Sequence, residues 1–506
     1  MPKSSTPSFI TTVSLVVNSQ AEAELLSRFQ AGRQLYNALL NEAMVRMKLV
    51  RKSDLYQFAR KLPKLPKNKL RNEAFKVACQ QYRYSEYDLQ AYATVVANQS
   101  KWIADKVDSN TQQKLATRAF KASSRVILGL AKKVRFKVPA QFKSMEGKSN
   151  KQGIRWAEDK LIWGKLKLEP IIDLDNPVIM HGLTSKVKYV RILFKFINGK
   201  RRWFAQLINE GIPFQKPANF TADGVVGLDL NVSNIAYVAN DEAGLLPFAE
   251  GVPTFQKEIS RIQSKMQRSQ RLANPDNYEP DFIGKKGRKQ VVKKGKNKKR
   301  CASVGFPDHE SATRQGRFRW NSSKRYQKLR ARKRELERRK SEYAKSQNRK
   351  LVNDILRHGN QIKTENVSIK GWQKRYGKAI AAKSPGFFQS ELKRKAEGAG
   401  GSFYEFSTRT TALSQTHLTG DRIKKSLSER VHYDRSGIVM HRDIFSAFLS
   451  RHIIDSQLSL LDAQLEYPGL EQVLLGAWQC YDRKSANRVS IAESRLSQSP
   501  VEQIPS

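Results

Sequence analysis

Asp229 in GVVGLDLNVSNIAYVA, Glu365 in GNQIKTENVSIKGW and Asp443 in HRDIFSAFLSRHI each sit in a differently punctuated segment. Together they read as a carboxylate set for divalent-metal phosphodiester chemistry. The chain holds 46 acidic residues, so context rather than number singles these out. Two metal ions about 3.5–4 Å apart can activate a water and stabilise a leaving oxygen, and hard Mg²⁺ prefers carboxylate oxygens together with retained waters. Such a site needs no nucleophilic side chain. There are only seven histidines and no Walker loop, HExxH or GxSxG, which disfavours covalent and zinc-hydrolase chemistry. His441, two residues before Asp443, is a candidate to assist the metal or a phosphate; an ordinary polar contact at a helix start is its alternative.

The elements that must position these acids are legible nearby. The apolar run Val225 to Leu230 is broken by Gly227 and Asp229, Asn231 to Asn234 supply turn chemistry, and Ile235 to Ala239 resume, which is a hairpin pattern. A carboxylate inside a buried strand costs several kcal/mol, roughly, unless a cation partners it; an edge-strand Asp facing water is the other reading. Gln361 to Val367 form a short strand pattern with Glu365 near its end, and a loop is expected from Asn366 to Gly371. Ile444, Ala447, Phe448 and Ile454 recur at helical spacing, placing Asp443 in a first helical turn, where an acid also suits the helix dipole.

Lysine and arginine number 93 against those 46 acids, a formal charge of +47, so the expected partner is a polyanion bound with strong salt dependence. A membrane surface is disfavoured: no run reaches the roughly 18 apolar residues of a span, and MPKSSTPSFITTV has no signal-peptide core. A prokaryotic cytoplasmic, nucleoid-associated location is expected. Cys79, Cys301 and Cys480 form no CxxC and no disulfide framework. At 506 residues the chain allows about three domains.

Along the chain, Ser8 to Val17 read as a strand and residues 21–132 as helical, with Leu25, Phe29, Leu35, Leu39, Leu40 and Met44 in one stripe. Residues 134–214 alternate apolar with basic residues as antiparallel strands, and Asn198-Gly199 marks a hairpin turn. The basic segment 285–300 is expected to be a mobile nucleic-acid contact loop. Tyr326, Leu329, Leu336, Tyr343, Leu351 and Ile355 set one face of one or two long helices, a helix follows Pro385, and Ser402 to Ser407 read as a strand.

Five segments in this order carry a narrower likeness. GLDLNVSNIAYVA, SKRYQKLRARKRELERRKSEYAKSQNRK, TENVSIKGW, FFQSELKRKAEGAGGSFYEF and LSQTHLTGDRIKKSLSERVHYDRSGIVMHRDIFSAFL resemble the transposon-encoded TnpB (OrfB) nucleases and related type V CRISPR effectors over residues 222–452. The resemblance implies an α/β multidomain chain: a ribonuclease-H-like (RuvC) nuclease domain and an N-terminal wedge-like β-barrel interrupted by a helical recognition region. Residues 1–20 and 133–220 would form the barrel, 21–132 the helical region, 221–406 and 438–484 the nuclease domain with a long basic helical insertion, and 485–506 a disordered tail. It implies an RNA-guided DNA endonuclease, with a structured guide RNA and target DNA as partners and two Mg²⁺ ions on Asp229, Glu365 and Asp443. Two other readings stay open: an RNA-guided DNA-binding protein with weak or dispensable cleavage, and a guide-independent transposition-associated nuclease.

One departure from the family is sharp. Its zinc ribbon uses two pairs of cysteines, and here the corresponding positions are Thr416, Thr419, Asp434 and Ser436. Without thiolates no zinc is expected there, and His417 and His432 alone make a poor cage. Residues 407–437 are then a degenerate, cysteine-free target nucleic-acid-binding segment.

Overall fold

In the computed structural model, residues 7–65, 68–278, 319–426 and 429–497 are described; the basic segment 285–300 lies outside them. The chain divides into two units, residues 1–216 and 217–506, each mixing helices and strands.

The first unit begins with β1 (Ser8–Leu15), where Thr11, Val13 and Leu15 are buried and Ile10 and Thr12 exposed, the period-2 pattern of a half-buried strand. Asn18 then caps α1 (Ser19–Lys52) by accepting from the Ala21 amide. Five more helices follow: α2 (Asp54–Lys61), α3 (Lys69–Gln81), α4 (Glu86–Gln99), α5 (Lys101–Lys106) and α6 (Ser109–Ile127). The strands are β2 (Ser144–Glu146), β3 (Ile154–Ala157), β4 (Lys160–Trp163), β5 (Leu166–Leu168), β6 (Pro170–Ile171), β7 (Val187–Ile197) and β8 (Lys200–Glu210). The last two meet at Asn198-Gly199, both left-handed (φ 49° and 77°), as a type I′ hairpin requires. One short helix, α7 (Pro177–Thr184), interrupts a stretch expected to be all strand; Asn176 caps it and Pro177 opens it.

The strands pair antiparallel in the order β2-β7-β8-β1-β6, with β3-β4-β5 a separate meander. The helices and this sheet share one core rather than forming a separate helical domain. Phe29 of α1 packs edge-on against Trp203 of β8, ring centroids 5.2 Å apart.

The second unit centres on a mixed sheet of β9 (Val225–Leu230), β10 (Asn234–Val238), β11 (Ala243–Pro247), β12 (Gln361–Glu365) and β13 (Ser402–Phe406), ordered β11-β10-β9-β12-β13. The first three run antiparallel; β12 is parallel to both β9 and β13. Two helices precede β12. In α8 (Val252–Leu272), which the sequence reading missed, Ile259, Ile262 and Met266 pack on Leu336 of α9 (Lys324–Leu356). Farther along α9, Leu351 and Ile355 reach the sheet, so the long apolar face serves two partners. A helix, α10 (Ile369–Lys383), replaces the expected loop after Glu365, capped by Ser368 accepting from Gly371. Then come α11 (Pro385–Gly398) and the single turn α12 (Thr408–Thr411), the hairpin β14 (Val431–Tyr433)–β15 (Val439–His441), α13 (Arg442–Arg451), the short pair β16 (Ile453–Ile454)–β17 (Gln457–Leu458), and α14 (Leu460–Ser497).

Two expectations change here. The tail expected to be disordered from 485 continues α14 to Ser497: the run SANRVSIAESRLS contains no Gly or Pro to stop it. Residues 407–437 are not a separate segment, since Leu413 and Leu418 sit in one core with Met440, Phe445, Phe448 and Tyr467. No helix among the described residues is long and apolar enough to cross a membrane.

Candidate functional site

The strand ladder brings the first two acids together. Gln361 to Thr364 pair in register with Val225 to Leu228, so Glu365 and Asp229 come next on neighbouring parallel strands, about 4.8 Å apart in backbone spacing. Side chains at matched positions of parallel strands share a face. Gly227 shows which face. A Cβ there would run into the Ala447 carbonyl, Ser450 and Arg451 of α13, and Asp229, two residues on, projects to the same side. Lys363 Nζ, two residues before Glu365, likewise donates to the Arg451 carbonyl at 2.7 Å. The opposite face is apolar: Val226, Leu228, Leu230 and Ile362 pack with Leu351, Ile355 and Phe388.

Helix α13 supplies the third acid. Its cap is His441, whose Nδ1 accepts the Asp443 amide at 3.2 Å while its ring lies edge-on to Tyr481 at 5.7 Å. Burial lowers the pKa of His441, consistent with a neutral ring whose Nδ1 lone pair is spent on the cap. Asp443 is 2% exposed. Its two oxygens face arginines that sequence reasoning did not pick out: Arg430 Nη1 at 3.4 Å and Arg442 Nε at 3.5 Å.

The electrostatics record the convergence. Asp229 is held well above the ordinary carboxylate range by burial, then by Asp443 and by Glu365, with Arg442 and Arg430 pulling the other way. Burial raises Glu365 too, against a backbone hydrogen bond from Leu413. Asp229 with two carboxylates close enough to raise it forms a hard-oxygen donor set. That set fits Mg²⁺.

Of the four positions expected to correspond to zinc-ribbon cysteines, the three hydroxyls are spent elsewhere. Thr416 Oγ1 donates to the Thr411 and Ala412 carbonyls, Thr419 Oγ1 to Asp421, and Ser436 Oγ to Asp434 Oδ1. These hydroxyls are occupied as local donors. Asp434 instead contacts His432 and His417, and all three are buried. Burial would raise Asp434, but hydrogen bonds from His432, Ser436 and Leu418 outweigh it and hold the carboxyl well below its usual range. Sequence reading considered the two histidines without Asp434; their spacing along the chain does not reveal that the hairpin turns all three inward.

No protein-family model matches the chain, and no curated protein matches it. Among solved structures it is similar to the cryo-EM structure of a Cas12f1–sgRNA–target DNA complex, with a TM-score of 0.40, 9% identity, and coverage of 90% of this chain and 100% of that one. It is also similar to the cryo-EM structure of a CRISPR-Cas12f ternary complex, with a TM-score of 0.26, 9% identity, and coverage of 87% and 82%.

Proposed function

We propose that this chain is an RNA-guided, Mg²⁺-dependent DNA endonuclease with a RuvC-type, ribonuclease-H-like centre built by Asp229, Glu365 and Asp443. The observation that carries this is the pairing of Asp229 and Glu365 on the sheet face that packs under α13, the helix of Asp443, with Asp229 pushed up by burial and then by the other two acids. Bound there, two Mg²⁺ ions would supply an activated water and stabilisation of the leaving oxygen. The chain's own contribution is rigidity. The β9–β12 ladder fixes two carboxylates, the His441 cap fixes the third, and Gly227 lets α13 lie close enough to join them.

The formal charge of +47 supports a structured guide RNA and target DNA as partners, because a protein that leaves sequence reading to base pairing contacts phosphates and helix shape. The five segments quoted above support the same assignment through their likeness to TnpB and type V effectors. Two measurements test it. RNA copurified from the native locus should be one discrete species with a constant scaffold and a variable end; heterogeneous RNA tracking cellular abundance would favour a guide-independent nuclease. Asp229→Ala should abolish Mg²⁺-dependent cleavage and leave RNA binding intact, and a variant that cuts as fast as its parent would refute the site. One observation favours RNA-guided binding with weak cleavage as a second reading: Arg430 and Arg442 already flank Asp443. On that reading the parent itself would cut no faster than Asp229→Ala.

A further inference from the structure

The β14–β15 hairpin carries a second cluster, apart from the acidic site and independent of the function proposed above. His417, His432 and Asp434 are 2%, 0% and 7% exposed, and one ligand-competent atom from each lies within 4.8 Å of the others. Two of the separations meet at a single atom: His432 Nε2 is 2.9 Å and His417 Nδ1 3.3 Å from Asp434 Oδ2. Ligands bound tetrahedrally with bonds of about 2.0–2.1 Å stand about 3.3 Å apart. Both separations from Asp434 are within a few tenths of an ångström, roughly, of that spacing.

Hydrogen bonding accounts for only part of this arrangement. The Arg435 amide donates to His417 Nδ1 at 3.1 Å, so that nitrogen is an acceptor, and it faces the Asp434 oxygen, another acceptor, at 3.3 Å. A cation between them would take the Nδ1 lone pair in place of the Arg435 amide and turn that opposition into two bonds. The remaining nitrogen of His417, Nε2, is buried without a hydrogen-bond partner, as a protonated ring nitrogen would be left when the other binds an ion. Asp434 Oδ1 accepts from Ser436 N and Oγ at 3.0 and 2.8 Å, the kind of outer contact that holds a carboxylate ligand. His432 Nε2 lies against Asp434 at 2.9 Å with Lys425 Nζ at 2.5 Å from Nδ1, so an ion taken at Nε2 would displace the proton that nitrogen shares with Asp434. Two imidazoles and one carboxylate suit zinc-class ions and not magnesium.

We propose that His417, His432 and Asp434 bind one divalent transition-metal ion of the zinc class, leaving a fourth position for water. The ion would join the turn after Thr416 to the hairpin. His432 also stacks on Phe445 of α13, ring centroids 4.3 Å apart, so the ion would tie this hairpin to the helix that carries Asp443.

The test uses full-length, tag-free protein carrying Asp229→Asn and Glu365→Gln to remove the acidic site, stripped with EDTA and titrated with Co²⁺. One equivalent should bind with the intense visible bands of tetrahedral cobalt and be displaced by Zn²⁺. His417→Gln and His432→Gln should each weaken binding at least about 100-fold. Absence of tetrahedral bands, or uptake unchanged by both replacements, overturns the proposal, because the chain's other histidines would then explain any binding. If a replacement fails to fold, hydrogen exchange on the unsubstituted chain decides. Zn²⁺ should slow exchange of the described amides within residues 416–437, and equal rates with and without Zn²⁺ refute the site.

Discussion

Asp229→Asn should stabilise the second unit when no metal is present. The parent holds Asp229 beside Glu365 on adjacent strands and near Asp443. Unit charges on side chains of neighbouring strands, on the order of 5–7 Å apart, repel by about 2–3 kcal/mol at an effective dielectric of about 20. Arg430 and Arg442 offset part of this, leaving a gain on the order of 1–3 kcal/mol when one charge is removed. Because the folded-state pKa of Asp229 is raised, parental stability falls as the pH rises through that value, and the variant should lose this dependence. Calorimetry in EDTA at pH 7.5 should show the unit's transition rising by about 2–8 °C. Mg²⁺ in 100-fold excess over its dissociation constant should raise the parent by about 3 kcal/mol and the variant far less. A variant less stable than its parent in EDTA would refute the reasoning, because Asp229 would then be a needed structural partner rather than a strained ligand.

Gly227→Ala should cost about 3 kcal/mol or more and abolish cleavage, since the new Cβ meets the backbone of α13; urea denaturation and a cleavage assay check both. His452, between Arg451, Lys363, Asp462 and Glu466, is pushed down to about 4 from 6.5 by burial and then by Arg451, with Glu466 Oε2 at 2.9 Å but lacking hydrogen-bond geometry. Its folded-state pKa is below the unfolded one, so its contribution is intact above about pH 6.5 and is lost as the pH falls toward 4, about 3 kcal/mol in all. His452→Gln should flatten that part of the stability profile. Affinity for a nonspecific duplex should fall about 10³-fold or more between 50 and 200 mM salt if six or more phosphates are engaged, and a flat salt profile would contradict the polyanion assignment.

The elements around the three acids were more legible than the rest of the scaffold because each acid sits beside a strong local signal. An apolar run broken by Gly227, a strand closing at Glu365 and a helix opening at Asp443 are patterns of a few residues, and β9, β12 and α13 appear where those patterns put them. Helix α8 carried its own signal, Phe255, Ile259, Ile262 and Met266 at helical spacing, whereas α10 was masked by Gly371 and Gly377 and packs on α9 and α11. Arg430 could not be read beside Asp443 from sequence, because the β14–β15 register delivers it: Val431 pairs with His441, so Arg430 comes next to the start of α13.

Counting cysteines reads only part of residues 407–437, where no zinc is expected on that count. Counting thiolates asks which residues occupy four fixed positions, and Thr416, Thr419 and Ser436 answer as hydroxyl donors. The turns around them point a neighbouring set, His417, His432 and Asp434, into the interior. His432 lies inside the hairpin strand, Asp434 begins its turn with the Gly437 amide donating to its carbonyl, and His417 is held by backbone hydrogen bonds to Asp421 and Gly420. Buried ligands on two short turns can change chemical type while the turns keep their places, because turn geometry is fixed by local hydrogen bonds rather than by the ligand. A replacement that breaks the turn without touching a ligand separates the two effects. Gly437→Val forces a β-branched residue into φ 93°, strained there whatever the metal does. It should loosen both the hairpin and metal uptake, whereas His417→Gln should lower uptake and leave the β14–β15 exchange pattern of the metal-free protein unchanged. If both replacements alter that metal-free pattern alike, the histidine is part of the fold rather than a ligand held by it.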